Sequence, residues 1–167
     1  MRLRALLALV LAALALAGAT LAWADTDVIR DGANETKALR DNGRVDIVKA
    51  IAGHHGHLLQ HTVVVREHID RDRRRERPLI AINVRGNPSS DPEYLVYGDD
   101  IFKNPKKGKP EKIARANLSG HGTHWVYRFD PRDFPDGGLG KYGWAAFTTT
   151  AKALDVVPNN SYAIHRP

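Results

Sequence analysis

The chain has 167 residues with a formal charge of +6, enough for one domain, or for one domain plus a targeting segment. It contains no cysteine, which excludes thiol catalysis, Cys-ligated zinc, iron–sulfur chemistry and disulfide staples. The charge is mild, and nucleic acid is not an expected partner.

Met1 to Arg4 carries two cations, Arg2 and Arg4, and Ala5 to Ala17 holds only Ala, Leu and Val. Thirteen helical residues rise only about 20 Å, short of a hydrocarbon core of about 30 Å. Gly18 breaks the run, and Ala22-Trp23-Ala24 supplies the small residues of a signal-peptidase site. Residues 1–24 are therefore predicted to be a cleavable signal helix, and the protein to be secreted, with no membrane span after cleavage. The mature chain would begin at Asp25, and the loss of Arg2 and Arg4 takes the charge from +6 to +4. Residues 25–44 form a polar leading segment, with a helical turn expected near Glu35 to Arg40.

From Val45 to the end, short apolar runs alternate with turn residues, and residues 45–167 are expected to form one all-β domain. Val45 to Ala52 and Leu58 to Ile69, joined by Gly53-His54-His55-Gly56, predict a hairpin. The charge block Asp70 to Arg77 cannot be core. Pro78 to Val84 predicts a third strand. Glu93 to Phe102 predicts a fourth and, after Gly98, a fifth. Lys103 to Pro110 is a charged loop. Lys112 to Leu118 and Thr123 to Phe129 predict a second hairpin around Ser119-Gly120-His121-Gly122. Tyr142 to Thr150 is the last predicted strand, and the tail from Asp155 is expected to be irregular. Seven or eight strands without a helical period predict a two-sheet antiparallel β-sandwich or jelly roll, with an eight-stranded barrel as the alternative.

The order of three stretches resembles secreted bacterial β-sandwich domains related in style to carbohydrate-binding modules, most of them without an assigned function. The stretches are Val45-Asp46-Ile47-Val48-Lys49-Ala50 with the following turn and His61-Thr62-Val63; Leu79 to Val84 leading to Glu93-Tyr94-Leu95-Val96; and Tyr142-Gly143-Trp144 with Asp155-Val156-Val157-Pro158-Asn159 and His165. The resemblance implies a non-catalytic module that binds a polysaccharide or cell-wall polymer. That family often carries an acidic, calcium-type loop after the third strand. Here Asn83-Val84-Arg85-Gly86-Asn87 stands in its place, short of the anionic oxygens that calcium requires.

Three groups of residues are candidates for chemistry. Tyr94, Tyr97, Trp125, Tyr127 and Trp144 form a possible sugar-stacking platform, although aromatics on strands more often fill a core. His54, His55, His57, His121 and His124 occupy two turns, and would hold a divalent metal if the turns meet at one end of the sandwich. The bland alternative is a set of solvated imidazoles, and His61 reads as a packed strand residue. Asp46 and Asp155 flank the domain as a cation site, as sugar-hydroxyl acceptors or, more simply, as acceptors for local backbone N–H groups. No Gly-x-Ser-x-Gly elbow and no His-Glu-x-x-His helix occurs, and the acids Asp99, Asp100, Asp130, Asp133 and Asp136 fall in turns, so no catalytic set is expected.

Overall fold

The computed structural model describes residues 26–31, 46–70, 72–73, 76–85, 90–135, 137–149, 154–158 and 161–167. The predicted signal helix and the helical turn at Glu35 to Arg40 lie outside these residues. In chain order the strands are β1 (Asp27–Arg30), β2 (Ile47–His55), β3 (Leu58–Ile69), β4 (Leu79–Asn83), β5 (Tyr94–Tyr97), β6 (Asp100–Lys103), β7 (Glu111–Arg115), β8 (Asn117–Phe129), β9 (Tyr142–Thr149), β10 (Leu154–Val157) and β11 (Ala163–His165). A 3-10 turn, Pro131–Asp133, follows β8. No helix among the described residues is long and apolar enough to cross a membrane.

The strands form a two-sheet antiparallel β-sandwich. One sheet has four strands in the order β1-β2-β3-β8. The other has seven, in the order β10-β9-β4-β5-β6-β7, with β11 also on β9. Two tight hairpins set the register. His55 pairs with Leu58 across Gly56-His57, and Tyr97 pairs with Asp100 across Gly98-Asp99. In each, a glycine with positive φ (+63° at Gly56, +59° at Gly98) takes the first loop position. Two-residue hairpin loops need that conformation to match the strand twist, and glycine adopts it without a Cβ penalty.

The core follows the period-2 pattern. On β3 the side chains of Leu59, His61, Val63 and Val65 point inward, opposite Trp125, Tyr127 and Phe129 of β8. From the other sheet Ile80, Ile82, Val96, Trp144 and Ala146 close on them. Burial of Trp125 and Trp144 removes roughly 150–250 Å² of each from water, about 4–6 kcal/mol apiece on an area basis. Their polar edges differ: Trp125 donates its indole N–H to the Gly122 carbonyl at 3.0 Å, whereas Trp144 Nε1 has no partner. The Tyr127 hydroxyl donates to the Pro78 carbonyl and ties the smaller sheet to the start of β4. Burial pushes the Tyr127 phenol far above its ordinary range, so it remains a donor at any working pH.

Three features differ from the sequence reading. The expected hairpin around Ser119 to Gly122 does not form, because β7 pairs with β6 in the larger sheet while β8 pairs with β3 in the smaller. The chain changes sheets at Ala116, and Gly120 and Gly122 (φ +91° and +70°) bend a single long strand. The tail is not irregular: β10 and β11 lie end to end along the same edge of β9. Part of the polar leading segment is also a strand, since β1 pairs with β2 from Asp27↔Ala52 to Arg30↔Lys49.

Candidate functional site

A sandwich normally presents apolar side chains to the other sheet and polar ones to water. The outer face of the seven-stranded sheet breaks that rule. Register places Val156, Phe147, Leu79 and Tyr97 in one row across β10, β9, β4 and β5, and Ala145, Ala81, Leu95 and Phe102 in the next. Leu79, Ala81, Leu95, Phe147 and Val156 of this face form the floor of an open groove of about 630 Å³. One wall is the β10–β11 connection, including Pro158, Ser161 and Tyr162, and the rim carries Ser90, Asp91 and Asn104. Tyr162 lies over Gly143, where an added Cβ would come within 2.9 Å of the tyrosine's own Cβ. The Tyr162 hydroxyl donates to the Ser90 carbonyl at 3.3 Å. Burial, then the nearby Glu93 and Asp91 carboxylates, raises the Tyr162 phenol, so it stays protonated. Ser90, Asp91, Pro92 and Asn104 also border a second cleft of about 720 Å³, where Arg85, Lys103 and Lys106 face Asp91 and Glu93.

A second constellation lies at the seam where the sheets meet. His165 on β11 is fully buried, and its Nδ1 lies 2.7 Å from Asp27 Oδ2 on β1. The His165 Nε2 lies 3.4 Å from His54 Nε2 at the end of β2. Deeper in, His61 Nε2 bonds the Tyr142 hydroxyl at 2.9 Å, while its Nδ1 has no partner. Its ring stacks on Phe129 and meets the Trp144 ring edge-on, with centroids 4.9 Å apart. Burial first, then the neighbouring His165 and His54, lowers the His61 pKa to about 3, so the ring is neutral at physiological pH.

No protein-family model, curated protein or solved structure matches the chain.

The aromatic candidates separate into two sets. Trp125, Tyr127 and Trp144 are wholly buried and Tyr94 nearly so, and all four belong to the core, where they offer no ring face to a ligand. Tyr97 alone of the five stands on the outer face. The two histidine turns do not converge. His54 stands opposite Leu59 on β3 and His124 opposite Val64, a separation of about 17 Å along the strand at a rise of about 3.4 Å per residue. His55, His57, His121 and His124 are exposed, and among the described residues no group of three or more His, Asp or Glu is arranged around a metal.

Of the flanking acids, Asp155 ties the two sheets together and Asp46 ties the start of β2 to β3 within one sheet. Asp155 Oδ2 accepts the Ile47 N–H at 2.6 Å and its Oδ1 accepts the Val156 N–H at 3.0 Å. Asp46 pairs with Arg66, also at 2.6 Å. The turn acids have local partners as well. Asp99 accepts the Leu118 N–H and Asp100 pairs with Lys112. Asp130 caps the 3-10 turn, where hydrogen bonds from Arg132 pull it to about 2. In the loop after β4, the Asn83 carboxamide accepts the Arg85 N–H and donates to Ser90, while Arg85 pairs with Glu93.

Sequence reasoning missed Phe147, Leu79, Val156 and Tyr162 as groove residues, His165 as the partner of His54, and Asp27 as the partner of His165. A faint signal for the groove was present. Pro78 to Val84 is apolar at nearly every position, and Tyr142 to Phe147 alternates nothing polar, which marks strands with two apolar faces.

Proposed function

We propose that the protein is a secreted, non-catalytic binding module that holds a polysaccharide or cell-wall polymer across the outer face of its seven-stranded sheet. The observation that carries this reading is an apolar, aromatic-bearing sheet face that lies outside a sandwich whose core is already complete on the other side. Its larger side chains are half-buried, and a contiguous apolar face that still meets solvent on a folded domain marks an interaction surface. The chemistry of this one suits a glycan. Sugar rings have C–H faces that stack on Phe147 and Tyr162 in the groove and on Tyr97 beside it, and hydroxyls that pair with Ser90, Asp91, Asn104 and Ser161 on the rim. An open groove rather than an enclosed cavity fits a chain that continues past both ends. The export signal expected from residues 1–24 and the resemblance to carbohydrate-binding modules point the same way.

The test is retention of the mature chain on insoluble polysaccharides and purified cell-wall material. At least one matrix is expected to retain the parent protein. Tyr97→Ala and Phe147→Ala, checked for unchanged circular dichroism, are each expected to weaken retention about tenfold, because loss of a stacking partner costs about 1–1.5 kcal/mol. Free passage of the folded parent through every matrix, or retention indifferent to both substitutions, would refute the proposal.

A further inference from the structure

The groove leaves the Asp27–His165–His54 chain without a role. The three residues come from three strands and both sheets: Asp27 from β1, His54 from β2 and His165 from β11. We propose that His54 and His165 form a two-histidine site for a divalent transition metal of the zinc–copper–nickel class, with Asp27 as the outer carboxylate that orients His165.

The distances carry the proposal. The two Nε2 atoms are 3.4 Å apart. Two imidazole nitrogens on one tetrahedral ion, each at about 2.0–2.1 Å from the metal, stand about 3.3–3.4 Å from one another. The carboxylate behind the pair decides which nitrogen is free to ligate. With Asp27 Oδ2 at 2.7 Å, the His165 Nδ1 carries the proton and donates it, and the Nε2 lone pair faces His54. Ligating histidines characteristically give their second ring N–H to a carboxylate in this manner, which fixes the tautomer and raises ligand basicity.

Accessibility fits as well. His165 has no solvent exposure, so packing holds its ring in place. His54 is exposed and opens the pair to solvent, so water can complete the coordination sphere. His61 is left out of the site, because its Nε2 is engaged by Tyr142 and its ring centroid stands 6.5 Å from that of His165, against 5.3 Å for His54. A bound ion would join the end of β2 in one sheet to β11 in the other. β11 is three residues long and, among the described residues, pairs with β9 alone, so its attachment would gain most. The competing explanation of the same 3.4 Å contact is a plain hydrogen bond in which His54 Nε2–H donates to His165 Nε2.

Titration calorimetry of the tag-free mature chain with zinc chloride and copper(II) chloride at neutral pH distinguishes the two. The parent for the test carries His55→Gln, His57→Gln, His121→Gln and His124→Gln, which removes the other exposed turn imidazoles. One ion per chain is expected to bind this background, with a rise in melting temperature and slowed amide exchange at residues 163–165. His54→Gln alters an exposed side chain and leaves the fold intact. It is expected to weaken binding at least tenfold, and Asp27→Asn to weaken it about 10–100-fold. Copper(II) bound to the background protein should show hyperfine coupling to two nitrogens. Absence of stoichiometric binding in the four-Gln background, or an affinity unchanged by His54→Gln, overturns the site and leaves the hydrogen bond. An affinity unchanged by Asp27→Asn overturns the role of the carboxylate.

Discussion

Asp155→Ala is the sharpest single perturbation of the fold. Asp155 sits on β10 with 4% of its surface exposed, and its carboxylate spans the seam to accept the first backbone N–H of β2, from Ile47, at 2.6 Å. The same carboxylate takes the Val156 N–H at 3.0 Å. Hydrogen bonds to a charged acceptor contribute about 1.5–3 kcal/mol net, and a buried donor left without a partner costs about 1–3 kcal/mol. Ile47 is fully buried, so water cannot replace the lost oxygen at its amide. Removal of the charge returns part of its desolvation cost, which trims the sum. The expected loss is about 3 kcal/mol, or about 6–12 °C in melting temperature at 2–4 °C per kcal/mol for a chain of this size. Asp155→Asn retains an acceptor oxygen for Ile47 and should lose about half as much. Urea unfolding of residues 25–167, followed by fluorescence of the buried Trp125 and Trp144, reads both values. A loss below about 0.5 kcal/mol for Asp155→Ala would show that the contact is incidental and that Asp155 is not a structural tie.

Acid should destabilise the protein through His61. Its folded pKa of about 3 lies below the ordinary 6.5, so between those values only the unfolded chain takes up the proton. Stability therefore falls by about 1.4 kcal/mol per pH unit below pH 6.5, a loss of about 3 kcal/mol by pH 4.5. Urea titrations in the presence of a chelator should show a shallower pH slope for His61→Gln than for the parent, and equal slopes would contradict the assignment. Gly120→Ala should cost about 2 kcal/mol or more. Its φ is +91° and a Cβ there would strike the His124 carbonyl. Gly137→Ala, with φ +93° but open space around it, should cost only about 1 kcal/mol, so comparable melting points for the two variants would count against the steric explanation.

Alternation along the chain was enough to place most strands, because each residue's exposure in a two-sided element is written locally. Leu58 to Ile69, Pro78 to Val84 and Tyr142 to Thr150 read as strands, and β3, β4 and β9 run through Leu58–Ile69, Leu79–Asn83 and Tyr142–Thr149. Gly98 marked a turn for the same local reason, whereas the turn read at Gly53 to Gly56 begins only at Gly56, because β2 runs on through His54 and His55. Alternation says nothing about partners, however. Lys112 to Leu118 and Thr123 to Phe129 looked like a hairpin since a glycine-rich stretch separates them, yet the two halves serve different sheets.

The candidate sites were less legible than the strands. His54 was visible in the sequence as an oddity, but its neighbours Asp27 and His165 lie 27 residues before and 111 residues after it, and only the sandwich closes those gaps. In the same way, period-2 patterning could assign Trp125 and Tyr127 to one face of a strand without saying whether that face met water or the other sheet. The sequence by itself determined the all-β class, the central strands, the turn at Gly98 and the absence of thiol chemistry. Tertiary structure decided which aromatics are core, which apolar face is left open, and which histidine meets a carboxylate. Those properties depend on contacts between residues far apart in the chain, and no local pattern encodes them.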